Sequence, residues 1–202
     1  GSALEGKATL TYDVDQGAGT LDTVEVGIAD RMQIASQEIR FASSPFTADG
    51  QLSFESDAKL AVDMAWLGRA EGTATGTAQV TYASESGFQA DWTARLDASH
   101  LVLPEDAGYV DNLFVEASGN YNEGIFGGGR VTLGTISAAG ASIRDLSGEI
   151  VMTGEVLRLA GFDGTLFNGN VIADIAVAVF EENMPIYLST QFDQLELGAL
   201  TV

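Results

Sequence analysis

The alternation of apolar and polar residues between Phe88 and Asp97 restricts the fold more than any other feature of this sequence. The apolar members are Phe88, Ala90, Trp92, Ala94 and Leu96, and a polar residue occupies every position between them. Successive side chains of a β-strand point to opposite faces, so a period of two predicts a strand with one buried face and one hydrated face.

The same period of two recurs along most of the chain. It is found at residues 8–14, 24–28, 60–66, 171–179 and 186–192. Junctions such as Leu146-Ser147-Gly148 and Phe167-Asn168-Gly169 precede several runs, which is typical of hairpin turns and β-bulges. Because the junctions are irregularly spaced, we expect a meander of hairpins with variable loops rather than a strict repeat.

Helical patterns are scarce. Residues Asp30 to Phe41 fit either a short helix or strands, with strands slightly favoured, and Pro104-Glu105-Asp106 predicts one or two helical turns. We therefore expect an all-β protein with a long antiparallel, strongly curved sheet and at most one or two short helices. An open groove or taco-like half-barrel is favoured by glycines within the strands, while periodicity alone also allows a closed barrel or a sandwich.

The charge balance excludes several partners. The 202 residues contain nine Lys plus Arg against 29 Asp plus Glu, a net charge of −20, so the chain lacks the cations that a nucleic-acid backbone requires. The same charge argues against electrostatic docking on an anionic membrane. The hydrophobic share of 46% predicts folding, and the absence of cysteine suits a cytosolic or a periplasmic address.

The ends of the chain predict a piece of a longer protein. Gly1-Ser2 has the form of a cloning remnant, and no signal peptide or spanning helix is present in the sequence. We expect residues 3–202 to form a single β-groove domain whose targeting or anchoring segment lies outside it.

Residues suited to catalysis or metal binding are few. His100 is the only histidine, and its position continues the even face of the Phe88 strand, which favours a buried or rim histidine over a catalytic one. The acidic turn Asp13 to Gly17 lacks the later ligands of a calcium loop. Gly127 to Arg130 favours a hairpin connection over an anion-binding nest. We therefore predict no enzymatic activity, no metal and no cofactor.

The apolar face of the sheet remains as the candidate site. Small residues at Ala74, Gly76 and Ala78 precede a strand with large residues, so the face is either filled by its own side chains or left as a trough for hydrocarbon. Each methylene removed from water contributes about 0.8 kcal/mol, so an acyl chain could bind without specific polar contacts. The predicted lipid-groove residues are Val80, Tyr82, Phe88, Trp92, Leu96, Val131, Leu133, Ile150, Met152, Val171, Ile175 and Val177.

The last third of the sequence carries a resemblance to a known family. The phrases are Asp145-Leu146-Ser147-Gly148-Glu149-Ile150, Val156-Leu157-Arg158-Leu159, Phe162 to Asn170, and Phe192-Asp193-Gln194-Leu195-Glu196-Leu197. In this order they resemble the C-terminal regions of the AsmA-like superfamily, which includes the TamB and YdbH families. Asn168 stands where many of those proteins have glycine.

The resemblance implies a Gram-negative envelope protein in the periplasm, anchored in the inner membrane by a segment outside this chain. It implies a β-groove that conducts phospholipid between the inner and outer membranes and takes part in outer-membrane biogenesis, together with envelope protein partners. It names no catalytic residue. The alternative expectation is a structural or adhesin-like β module with a self-filled core and no ligand.

Overall fold

A computed structural model describes residues 4–28, 32–56, 69–103, 107–138, 140–178 and 185–196. These residues form twelve β-strands and contain no helix. The strands are β1 (Leu4–Asp13), β2 (Ala18–Ile28), β3 (Met32–Ser43), β4 (Phe46–Ser56), β5 (Arg69–Ala83), β6 (Gly87–Val102), β7 (Gly108–Asn122), β8 (Ile125–Ala138), β9 (Ala141–Gly154), β10 (Val156–Leu166), β11 (Gly169–Ala178) and β12 (Ile186–Asp193).

All twelve strands belong to one antiparallel sheet, in which spatial order follows chain order from β1 to β12. The two end strands are not paired with each other, so the sheet is open. The all-β prediction and the curved open sheet are confirmed. In the ambiguous stretch at Asp30 to Phe41, the described residues from Met32 onward belong to β3. Residues 60–66, where a strand was expected, and residues 104–106, where a helical turn was expected, lie outside the described residues. In the part of the chain that is described, no helix is long and apolar enough to cross a membrane.

The alternation in the sequence sets the two faces of the central strands. In β6, Trp92 and Leu96 are half-buried, while Thr93 and Arg95 between them are exposed. Trp92 lies opposite Ala78 of β5 and Gly119 of β7, so cross-strand pairing continues the same face on the neighbouring strands. We call this side the apolar face and the opposite side the polar face.

Register shifts and residues with positive φ lie in neighbouring positions between β6 and β10. On either side of them, the alternation of buried and exposed residues along the strand is reversed. Ala98 and Leu101 of β6 are three residues apart and both are buried, and the register shifts between them. Asn112 in β7 and Asp145 in β9 have φ values of 55°, and Gly161 in β10 has 59°. Such β-bulges bend and twist a sheet, which explains how a single sheet can curl.

The reversal corrects one expectation. Beyond the bulge, His100 lies on the polar face, because Leu101 next to it is buried in the core and His100 pairs with Asp111. The prediction that His100 continues the face of Phe88 and Trp92 is therefore wrong. A bulge inserts one residue, which moves every later side chain of the strand to the other face.

Gly127, Gly128 and Gly129 also differ from expectation. They do not form a hairpin connection; they lie inside β8 and pair with Gly119, Ser118 and Ala117 of β7. On the apolar face, Gly119 and Gly127 lie in one cross-strand row between Trp92 and Met152.

Large apolar side chains lie over glycines of the adjacent strand. A methyl group added at Gly148 would overlap Cδ2 of Phe162, and one added at Gly76 would overlap Cε1 of Phe54. Ile39 covers Gly50 in the same way. Three large side chains of this sheet thus each cover a glycine of the adjacent strand. In the contrast noted in the sequence, Trp92 lies opposite Ala78 and Leu96 lies opposite Ala74.

The centre of the apolar face is closed by its own side chains. One cluster of buried residues extends from β6 to β10 and contains Leu101, Val110, Ala117, Val131, Leu133, Leu146, Ile150 and Phe162. Outside this cluster, several large apolar side chains on the same face are exposed, among them Leu10, Phe88 and Leu188. The sheet therefore closes locally over this cluster and leaves much of its remaining surface open.

Candidate functional site

The predicted lipid-groove residues lie on the apolar face and fall into cross-strand rows. One row joins Leu96, Val115 and Val131. A second joins Ile150 to Ile175 through Leu159 of β10, and a third joins Met152 to Val177 through Leu157. The remaining predicted residues, Val80, Tyr82, Phe88, Trp92, Leu133 and Val171, extend the face along β5, β6, β8 and β11.

These residues differ in how far a ligand could reach them. Val131, Leu133, Ile150 and Val171 are buried, with 4–9% of their surface exposed. Tyr82 and Phe88 are exposed, at 39% and 46%. The other six, Val80, Trp92, Leu96, Met152, Ile175 and Val177, are half-buried. Any ligand on this face would contact the second and third groups, because the first is already covered by the protein.

An aromatic row lies at one end of the sheet, and only its members Tyr82 and Phe88 were predicted from the sequence. It consists of Tyr12, Phe41, Phe46, Tyr82, Phe88 and Tyr121, which flank the turns at residues 14–17, 44–45, 84–86 and 123–124. They form three contacts with ring centroids 5.7–5.9 Å apart, namely Tyr12 with Phe41, Phe46 with Tyr82, and Phe88 with Tyr121. The available signal was the repeated placement of aromatic residues beside turns at the same end of the meander.

The apolar face stays exposed at both edges of the sheet. In β1, Leu10 is 62% exposed, and in β12, Leu188 and Phe192 are 65% and 51% exposed. Leu188 lies opposite Ile175 and Phe192 lies opposite Val171, so both edge residues continue the apolar face. The accessible apolar surface therefore includes the aromatic row and the two edges, around a closed centre.

The polar face holds a cavity of about 830 Å³ that crosses β3 to β8. Two rows of that face line its sides, and the row between them, which contains Phe54, Gly76, Ala94, Ala117 and Gly129, also lines it. One row contains Ala35, Ser53, Thr77, Thr93, Ser118 and Gly128, and the other contains Gln33, Glu55, Thr75, Arg95, Glu116 and Arg130. A twisted sheet is saddle-shaped, so it can be concave toward opposite faces along its two diagonals.

Two arginines flank one aromatic ring beside this cavity. The guanidinium carbons of Arg95 and Arg130 lie 4.8 Å and 5.5 Å from the ring centroid of Phe114. Arg130 also forms an ion pair with Glu116 at 3.0 Å, and Arg95 forms one with Asp97 at 3.4 Å. These contacts hold both guanidinium groups at one end of the cavity.

The other polar contacts stabilise the bulges and hairpins. Nδ1 of His100 lies 2.6 Å from Oδ1 of Asp111, and the His100 ring lies beside Tyr109. The backbone amide of Gly161 donates to Oδ1 of Asp174 at 3.1 Å. This hydrogen bond, aided by Arg158, holds the pKa of Asp174 below its ordinary value, against a smaller opposing effect of burial.

Among the described residues, no group of three or more histidine, aspartate or glutamate side chains could hold a metal ion.

Comparison with known proteins does not assign a family. No family model, no curated protein and no solved structure matches the chain.

Proposed function

We propose that this chain is a segment of a β-groove that binds the acyl chains of phospholipids on the apolar face of its sheet. As part of a longer envelope protein, the groove conducts phospholipids between the inner and outer membranes. The observation that carries the proposal is the accessible apolar surface along the aromatic row and at both edges of an open sheet. Seven of the exposed large apolar side chains lie on this face: Leu10, Tyr12, Phe46, Tyr82, Phe88, Leu188 and Phe192.

The accessible surface suits hydrocarbon better than a polar ligand. Tyr82 and Phe88 face each other across β5 and β6, and Phe46 packs against Tyr82. These pairs place aromatic side chains next to one another on β4, β5 and β6. Burial of each methylene against it contributes about 0.8 kcal/mol, so affinity grows with chain length and needs no polar contact.

The position of the buried cluster decides where a chain would lie. Because Val131, Leu133, Ile150 and Val171 are already covered, a bound acyl chain would follow the aromatic row and the half-buried residues beside it. The net charge of −20 weakens binding of anionic headgroups, so zwitterionic phospholipid is expected to bind at least as well. The resemblance to the AsmA-like superfamily supports a periplasmic address and envelope protein partners as part of the same proposal.

Two phenylalanines provide a matched test of this proposal. Phe88 on the apolar face is 46% exposed, and Phe126, which lies opposite Asn120 and Thr153 on the polar face, is 44% exposed. The protein and its Phe88→Asp and Phe126→Asp variants are incubated with phosphatidylcholine vesicles, and retained lipid is counted by native mass spectrometry. We expect Phe88→Asp to lower retained lipid severalfold and Phe126→Asp to leave it unchanged.

The outcomes separate the proposal from its alternative. If the unmodified protein retains no phosphatidylcholine, or if both variants lose lipid equally, the acyl-chain groove is wrong. The self-filled β module then becomes the better description, since the buried cluster from Leu101 to Phe162 already has a filled interior. Phe88 is preferred over Trp92 because Trp92 packs against that cluster, so a charge there would also perturb folding.

A further inference from the structure

We propose that the cavity on the polar face is a second binding site, which takes a neutral oligosaccharide chain. It lies on the side of the sheet that the acyl-chain groove does not use. Its volume of about 830 Å³ falls within the range of roughly 300–1,000 Å³ that is typical of ligand sites. It extends across six strands, or roughly 24 Å at the usual strand spacing, which suits an extended ligand.

A ladder of hydroxyl groups lines one side of the cavity. Ser53, Thr77, Thr93 and Ser118 lie directly opposite one another on β4 to β7. The Thr77 and Thr93 hydroxyls are 2.9 Å apart, and Ser53 donates to the carbonyl of Ala35. Each hydroxyl can both donate and accept hydrogen bonds, as sugar hydroxyls also do. The small residues Ala35 of β3 and Gly128 of β8 end the ladder.

The charges of the cavity favour a neutral ligand. Its charged lining residues are Glu55, Arg95, Glu116 and Arg130, which sum to zero in a chain of net charge −20. A polyanion would be repelled by the surrounding acidic surface. A polycation would meet Arg95 and Arg130, which the Phe114 ring holds at one end of the cavity.

The pairing of the sheet argues against an extended peptide. Strand addition requires unpaired backbone groups at a sheet edge, whereas β4 to β7 beneath the cavity are each paired on both sides. Recognition must therefore come from side chains. Hydroxyl, amide, carboxylate and guanidinium groups together are suited to the vicinal hydroxyls of a sugar chain.

The test uses cellohexaose, hexa-N-acetylchitohexaose and maltohexaose as neutral probes, with oligogalacturonate and hexalysine as charged comparators, in isothermal titration calorimetry of the whole chain. We expect at least one neutral hexasaccharide to bind. The double variant Thr77→Val with Thr93→Val, which keeps the branched shape of both side chains, should weaken that binding at least tenfold, because it removes two hydrogen-bonding groups.

The control is Thr81→Val, which changes the same face of β5 outside the cavity and should leave the affinity unchanged. Far-UV circular dichroism and phosphatidylcholine retention should be the same for all variants, because the cavity and the apolar face are on opposite sides. The proposal is overturned if no neutral hexasaccharide binds at millimolar concentration, if only a charged comparator binds, or if the double variant binds as well as the unmodified chain.

Discussion

The contact between Phe162 and Gly148 provides the sharpest test of how the apolar face is built. Phe162 is 6% exposed, and its ring lies directly over Gly148 of the neighbouring strand. We expect Phe162→Ala to destabilise the protein by about 3–5 kcal/mol, since the ring is as buried as a core side chain. A methyl group at Gly148 would overlap Cδ2 and lie 2.9 Å from Cε2 of the ring, so Gly148→Ala must displace it.

The cost of Gly148→Ala follows from two opposing effects. Overpacking costs about 1–3 kcal/mol, while replacing a strand glycine by alanine returns roughly 0.5–1 kcal/mol. The net loss should be about 0–2.5 kcal/mol. In the double variant the new methyl group fills space that the ring has left, so the total loss should be about 1–2 kcal/mol smaller than the sum of the single losses.

Urea unfolding, followed by tryptophan fluorescence and by far-UV circular dichroism, measures these free energies. Gly128→Ala serves as the control, because a methyl group there faces the polar side and meets one carbonyl oxygen at 3.0 Å and no side chain. Additive losses in the Gly148 and Phe162 double variant would refute the view that large side chains on this sheet are accommodated by glycines of the next strand.

Two further predictions concern the bulges. The pKa of Asp174 is lower in the folded protein than its ordinary value. The ionised carboxylate therefore stabilises the folded protein at a pH above the ordinary pKa, and this stabilisation is lost as the pH falls through the pKa of the folded protein. In thermal unfolding from about pH 2 to 6, the gap in melting temperature between the unmodified protein and Asp174→Asn should therefore shrink with falling pH, and a constant gap would contradict this. Asp145 and Gly161 have φ values of 55° and 59°, so Asp145→Gly should stabilise by about 0.5–1 kcal/mol and Gly161→Ala should destabilise by about 1–2 kcal/mol in urea titrations. Destabilisation by Asp145→Gly, stabilisation by Gly161→Ala, or no change at either site would show that backbone strain does not govern these bulges.

The strands themselves could be predicted because alternation is a property of each strand alone. The run from Phe88 to Leu96 lies in β6 with the predicted faces, and the run from Val171 to Val177 lies in β11. His100 could not be placed in this way. The bulge before His100 depends on how His100 pairs with Glu71 and Asp111 of two other strands. The local sequence does not predict the inserted residue.

The sequence predicted which side chains share the apolar face, but it did not predict which of them are buried and which are accessible. Tyr82 and Phe88 are accessible as a ligand site requires, whereas Val131 and Ile150, with the same alternation, are buried. Their burial depends on how far the sheet curls and on which side chains lie over which glycines. The hydroxyl ladder of the polar face was equally hidden, because Ser53, Thr77 and Thr93 become neighbours only through cross-strand register.

The amino-acid sequence by itself determined that this chain is made of strands, that each strand has one apolar and one polar side, and that its surface is strongly acidic. Only the tertiary structure decided where the apolar side is closed, where it stays open and that the polar side contains a cavity. The reason is physical: the side to which a residue points is set by its own strand, but its burial is set by curvature and register, which many strands establish together.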